Sequence, residues 1–358
     1  MINVLKQWYQ RYFTDPQTVI FSFILISGSL LIVVMRAHLM PLLISIIIAY
    51  LFEGLVSRMD RIRLNRTAAA CFVTLLILSA IVLTLFVLLP LLSRQVTDLI
   101  REMPSMFSRG QHLLAELPDR YPGYLSATQV DEIFAFFRTE LTAFGQRVVS
   151  LSLDSVVGMI TFFVYLILVP LMVFFLLKDK CLIMTWLGHF LPEERTLLRQ
   201  VWDDLDTKIA SYVRGKFIEI LIVWAATYSG FALMGLNYAM LLSLLVGLSV
   251  IVPYVGATVV TIPVLLIAFF QWGSSPDFFY LLGFYAAIQI LDGNLLVPLL
   301  FSEVVNLHPV AIIVAVLFFG GLWGLGGVFF AIPLATLVQA VLKAWPRKSA
   351  TELELPAS

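Results

Sequence analysis

Residues 239–270 read AMLLSLLVGLSVIVPYVGATVVTIPVLLIAFF, a run without one charged side chain. As a single α-helix it would measure about 48 Å at 1.5 Å per residue. The hydrocarbon layer of a bilayer is about 30 Å thick. The run is therefore too long for one upright crossing. Pro253-Tyr254-Val255-Gly256 interrupts it midway, leaving halves of roughly 14 residues. A tilted, kinked span fits that pattern, and so does a re-entrant hairpin.

The rest of the chain has the same character. Of 358 residues, 60% are apolar and only 13% are charged, with a mean hydropathy of +0.96. No single water-soluble core has room for that much Leu, Ile, Val and Phe. The reading is an all-α polytopic membrane protein. Net charge is zero, so no basic field points to nucleic acid. Cys71 and Cys181 stand in separate apolar surroundings and make neither a disulfide framework nor a metal set.

About eight membrane-embedded segments are expected: 18–35, 39–55, 69–92, 156–177, 217–236, 239–270, 278–301 and 309–343. The first is read as a span rather than a cleaved signal, because no A-x-A site closes it. Before it lies a leader with Trp8, Tyr9, Tyr12 and Phe13 beside Lys6 and Arg11, suited to the membrane interface. The 309–343 run repeats the length problem of 239–270. Its break is Gly320-Gly321-Leu322-Trp323-Gly324-Leu325-Gly326-Gly327. Gly256 precedes Ile262-Pro263 as Gly326 precedes Ile332-Pro333, a faint repeat. Paired interrupted segments point to a transport site.

Basic residues set the orientation. With both termini cytoplasmic, sixteen of the 23 Lys and Arg fall inside. They lie in the leader, the 56–68 loop, the 178–216 segment and the C-terminal tail. The 93–150 segment then lies outside, its six Arg offset by seven acidic residues. Within it, Val130, Phe134, Phe137, Leu141, Phe144, Val148 and Leu151 form a helical stripe behind a Thr128/Asp131 capping box. Leu198, Trp202, Leu205, Ile209 and Tyr212 form a second stripe on the cytoplasmic side. Each stripe suits packing on the protein's own membrane part or contact between subunits of a homo-oligomer. The expected division is 1–92 for the interfacial helix and three spans, 93–150 for the outer extension, and 151–180 for the fourth span. The amphipathic cytoplasmic segment is 181–216, the candidate transport domain 217–343 and the tail 344–358.

Enzymatic chemistry finds no support in the motifs. Arg214-Gly215-Lys216 resembles the end of a P-loop, but the upstream glycine is replaced by Ala210. There is no H-E-x-x-H and no G-x-S-x-G. No cofactor and no metal site is expected. What stands out is Asp292, in Ile290-Leu291-Asp292-Gly293-Asn294-Leu295-Leu296-Val297-Pro298. A charge at mid-bilayer costs at least about 2.5–3.5 kcal/mol. Gly293 and Pro298 weaken the helix beside it, and Asn294 adds an amide. Such a cluster suits a cation, proton or polar solute. A polar contact capping a broken helix is the competing reading. The candidate site comprises Asp292, Gly293, Asn294, Pro298, Pro253, Tyr254, Gly256, Gly320, Gly321, Gly324 and Pro333, with Glu219 and Glu303 secondary. Gly320 and Gly324 also make a G-x-x-x-G, which brings helices close. Glu53 and Glu219 lie near span ends, where they can snorkel or pair with Arg58 or Lys216.

These residues resemble the autoinducer-2 exporter family, and within it the PerM-type permeases. The resemblance covers nearly the whole chain. Its carrying stretches are Val169 to Lys180, Tyr212-Val213-Arg214-Gly215-Lys216, Pro253-Tyr254-Val255-Gly256, Leu291-Asp292-Gly293-Asn294 through Pro298, and Gly320-Gly321 through Pro333. It implies a bacterial inner-membrane protein of about eight spans, assembled as a homo-oligomeric ring, a pentamer. It also implies export of a small polar signal by some members and cation–proton antiport by others. The expected function is a secondary transporter exporting a small polar solute, with proton or sodium coupling at Asp292. The alternatives are a sodium–proton antiporter and a membrane scaffold binding partners through its extramembrane helices. A scaffold has little reason to keep a carboxylate between leucine-rich stretches.

Overall fold

A computed structural model describes residues 34–115, 155–190, 196–302 and 307–344, with residues 27, 28 and 30. Every regular element among them is helical. Six of these helical stretches are long and apolar enough to cross a bilayer, and three shorter apolar helices accompany them. Large apolar side chains such as Phe86 (76% exposed) and Leu317 lie open on the surface. That is the expected outer face of a protein whose solvent is lipid. The first expected span falls almost wholly outside the described residues, as do the 130–151 stripe, its capping box and most of the tail.

The first body is a packed trio. α1 (Arg36–Arg61) and α2 (Arg66–Leu83) are joined by a tight turn in which Arg63 has φ +65°. α2 runs through one π-helical turn, Thr84–Leu88, into α3 (Leu89–Ala115). The expected span 69–92 and the start of the outer extension are thus one rod. α4 (Ser155–Lys178) packs on α1 and α2. Val56, Ala69, Ala70, Val73, Val173 and Leu177 fill the space between the three helices. Glu53 closes its end, paired with Arg66 at 3.1 Å and Lys180 at 3.5 Å, instead of the expected Arg58. Arg66 reaches Glu53 because it opens the next helix after the turn, where its guanidinium also donates to the Leu177 carbonyl at 2.9 Å. A short helix, α5 (Lys180–Gly188), follows α4.

α6 (Thr196–Leu233) is the hub. The sequence suggests a cytoplasmic amphipathic segment ending at 216 and a span from 217. The structure makes them one helix of 38 residues. The reason is visible in the burial. Leu205 and Tyr212 of the amphipathic stripe are buried while Trp202 is exposed, so the lower stripe already faces the membrane body. α6 touches α1, α7, α9, α10 and α12. Its tie to the first body includes a hydrogen bond from the Tyr50 hydroxyl to Asp206, 2.7 Å.

The run 239–270 is a helical hairpin. α7 (Ala239–Ser249) and α8 (Val255–Trp272) pack on one another. The two ends are pinned together: Gln271 accepts from the Asn237 amide and donates to the Gly235 carbonyl, both at 2.8 Å. Gly256 sits so close to the Ser249 carbonyl that a Cβ there has no room. α9 (Pro276–Leu291), a second π turn (Asp292–Leu296) and α10 (Val297–Phe301) follow as one interrupted rod.

The run 309–343 is also a hairpin, of α11 (Pro309–Trp323) and α12 (Leu325–Ala344). It reverses at Gly324, whose φ of +62° suits a residue without a side chain. Gly320 lies against Val328, so this glycine serves helix packing. In the faint repeat, Gly326 was the expected counterpart of Gly256. The structure gives the close approach to Gly327, which faces the Phe319 carbonyl, while Gly326 is open. Pro333 lies inside α12, well beyond the turn.

Gly256→Ala and Gly327→Ala should each force their hairpins apart. Overpacking costs about 1–3 kcal/mol or more. The expected result is a clear fall in the thermal unfolding midpoint in detergent for each, with Gly326→Ala close to wild type.

Candidate functional site

Where the α7–α8 hairpin breaks, its backbone must find partners. Pro253 has no N–H, and the Ser249 carbonyl accepts instead from Val252. Tyr254 is left with φ +63°, ψ −45°, a strained conformation for a residue bearing a Cβ. The Val250 carbonyl receives the ammonium of Lys216, 2.9 Å away on α6.

Lys216 is therefore not a surface charge. It is 4% exposed. Its Nζ lies 2.6 Å from Glu219 Oε2, a charge contact whose angle is not that of a directed hydrogen bond. It also lies 5.1 Å from the centre of the Phe301 ring, within cation–π range. Glu219, 1% exposed, is held by this pair and does not snorkel. Tyr212, one turn earlier on α6, donates its hydroxyl to the Phe329 carbonyl of α12 at 3.0 Å. Gly215 lets α10 come close, since a Cβ there would meet the Phe301 ring at 2.9 Å.

Asp292 arrives from the other side. It opens the π turn between α9 and α10. In that turn the Val297 amide reaches back to the Asp292 carbonyl, skipping one residue. Pro298, which cannot donate, follows at once. The same arrangement occurs at Thr84–Leu88, where Leu89 bonds to Thr84 and Pro90 follows. π turns often mark functional positions. The Asp292 side chain is 9% exposed, and its Oδ1 has no hydrogen-bond donor.

These groups line one cavity of about 440 Å³. Of the expected residues, Asp292, Gly293, Pro298, Pro253, Tyr254 and Glu219 line it. Asn294 is exposed and spends its amide on the Ile290 carbonyl at 2.9 Å; two positions on from Asp292, it lies on another face of the helix. Gly256 is buried inside its hairpin. Gly320, Gly321, Gly324 and Pro333 do not line the cavity. The α11–α12 hairpin contributes Pro309, Ile312 and Ile332 instead. Only the first of the two breaks meets Asp292, since the second hairpin presents its flank and not its turn. Glu303 lies outside the described residues. Tyr212, Lys216, Gln289 and Ser302 also line the cavity, although the sequence offers Tyr212 only as part of the amphipathic stripe and Lys216 only as a partner for Glu219. The pair forms, with Lys216 followed three residues later by Glu219 at the head of an apolar run. Those two positions share a helix face.

A largely apolar cavity among helices long and apolar enough to cross a bilayer, with a few converging ionisable groups, is the form that solute sites take in integral membrane proteins. The comparisons agree. The sequence profile of the AI-2E family transporters matches residues 20–347, and this chain belongs to that family. It is 47% identical to the "Putative permease PerM" of Escherichia coli K12, over 97% of this chain and 98% of that protein. It is 27% identical to the "Putative transport protein YueF" of Bacillus subtilis, over 84% of this chain and 82% of that one. YrrI of the same organism, also named a putative transport protein, is 26% identical over 86% of this chain and 87% of its own length. The chain is a multi-pass membrane protein of a transport family.

Removing one member of a buried ion pair strands the other. Lys216→Met should destabilise the protein by about 3–5 kcal/mol. Adding Glu219→Leu should recover most of that loss. Thermal unfolding of the single and double variants in one detergent measures both.

Proposed function

We propose that this protein is a secondary transporter that exports a small polar solute across the bacterial inner membrane, with a proton or sodium ion coupled at Asp292. The observation that carries this reading is the buried Asp292 carboxylate, whose Oδ1 has no hydrogen-bond donor, on a solute-sized cavity. A carboxylate in low dielectric is costly to keep charged and alone. It is therefore suited to exchange a cation between two states. The relatives' names speak of permeases and transport proteins, and a solute fits those names.

In this reading 217–343 moves against the body formed by 18–177. The two hairpins and the interrupted α9–α10 rod all lie in the first block. Membrane lipid surrounds both, and copies of the chain assemble as a homo-oligomer, a pentamer by family resemblance. The sodium–proton antiporter is the same chemistry without the organic solute. The scaffold reading draws no support from the 198–212 stripe, whose Leu205 and Tyr212 are buried within the chain.

Flux of a metabolite panel in proteoliposomes, with and without a pH gradient, tests the reading. Asp292→Asn keeps the size and removes the charge. Its coupled flux should fall at least about tenfold, equivalent to about 1.4 kcal/mol, while folding and oligomer size are unchanged. Wild-type flux in Asp292→Asn at every pH sinks the ion-coupled reading.

Orientation follows the basic residues, with both termini cytoplasmic and 93–150 periplasmic. A Ser126→Cys variant should react with an impermeant thiol reagent from the periplasmic side. Labelling only from the cytoplasm reverses the topology.

A further inference from the structure

The cavity already contains one alkylammonium, and it is the chain's own. Lys216 Nζ rests on the Glu219 carboxylate at 2.6 Å, the Val250 carbonyl at 2.9 Å and the face of Phe301 at 5.1 Å. The charges around it do not balance. Lys216 and Glu219 come from α6, Asp292 from the π turn, and the α11 and α12 lining residues are Pro309, Ile312 and Ile332. The hairpin break adds only Tyr254, and α9 only Gln289. Among the described residues, one ammonium thus faces two carboxylates. The ammonium is committed to Glu219, and Asp292 Oδ1 has no donor. An anionic solute would find the lysine occupied and a carboxylate opposite. A cationic solute would find the missing donor's place.

The volume sharpens this. About 440 Å³ is far more than a single metal ion fills and falls in the range of small-molecule sites. The walls are largely apolar, and the aromatic residues Tyr212, Tyr254 and Phe301 are among them. Aromatic faces and a desolvated carboxylate together hold ammonium groups well.

We propose that the solute carried by this cavity is a small organic monocation whose ammonium group pairs with Asp292 while its carbon skeleton lies against the Phe301 side of the cavity. This rests on the transport reading above and names its substrate class. Rotation about the Asp292 Cβ–Cγ bond brings either oxygen to the ligand. A proton and an ammonium compete for the same carboxylate. Binding one expels the other, and that exclusion makes the exchange an antiport without a second site.

A size-matched trio tests it on the full-length protein in nanodiscs: 6-amino-1-hexanol, 1,6-hexanediol and 6-hydroxyhexanoate. The amine should bind at least about tenfold more tightly than the diol, a difference of about 1.4 kcal/mol, and the carboxylate should bind least. In lightly buffered solution the amine should release protons on binding. Asp292→Asn should lose both the preference and the proton release, and Asp292→Glu should keep the preference. Equal binding of amine and diol, or a preference that survives in folded Asp292→Asn, overturns the proposal. Flux of the diol or the acid in proteoliposomes without flux of the amine overturns it too, and leaves the permease reading standing. Amine binding that depends on Asp292, with no flux of any of the three, supports the ammonium site and sinks the permease reading.

Discussion

Lys216 bonds a carbonyl that would otherwise have no partner in the membrane interior. The break in the α7–α8 hairpin frees Val250, and lipid offers nothing to replace the lost helical bond. The donor comes from a different helix, so the repair is also a tether: the hairpin tip is fastened to α6. The same ammonium holds Glu219 and lies over Phe301 of α10. Three elements meet at one nitrogen. Without that contact the hairpin break would be an unsatisfied defect, and the cavity below it would lose its polar wall.

Glycine sets the other limit. Gly256 and Gly327 each face a carbonyl of the preceding helix at a distance no side chain tolerates. Gly215 and Gly247 do the same where α6 crosses α10 and α7, against Phe301 and Trp224. Close crossings keep the hairpins tight in a solvent that supplies no hydrophobic drive between helices. Polar bonds then fix their register. Thr261 of α8 and Tyr285 of α9 share a hydrogen bond of 3.1 Å. At the other end of the hairpin, Gln95 and Glu102 of α3 reach the Leu241 amide and the Tyr238 hydroxyl, both at 2.8 Å. The long α2–α3 rod is thereby joined to the hairpin as well as to its own trio. Burial and the Glu102 carboxylate together push the Tyr238 hydroxyl well above the usual tyrosine range, so it stays a donor.

The interruptions were legible because each run is too long for one upright crossing and carries Pro253 or the 320–327 glycines at its middle; that they close as hairpins and not as kinked spans was not. Asp292 was legible because charge in an apolar run is costly. The orientation of its neighbours was not. Asn294 follows Asp292 by two positions and looks like a partner, yet positions two apart do not share a helix face, in the π turn or outside it. Proline alone does not announce that turn, since Pro41, Pro104, Pro170, Pro263 and Pro333 lie in helices with no such widening. Lys216 was hidden for a different reason. Counted among cytoplasmic charges, it supports the topology; its true depth depends on α6 continuing unbroken through 216, which no local signal requires.

That continuity also decides which parts can respond to one another. An ordinary span begins at the membrane surface, and charges at its head are solvated. Here the amphipathic stripe of α6 is buried from Leu205 onward, so the head of the apolar run lies within the protein. A lysine placed there cannot snorkel to water without leaving Val250 and Glu219 together. Any cation that settles on Asp292 changes the field at Lys216, because the two side chains line the same cavity. A change at Asp292 on the α9–α10 rod is therefore felt at the tip of the α7–α8 hairpin through one side chain of α6. Helix contacts alone would give the rod and the hairpin a common boundary. The cavity that Lys216 and Asp292 both line gives them a common electrostatic environment.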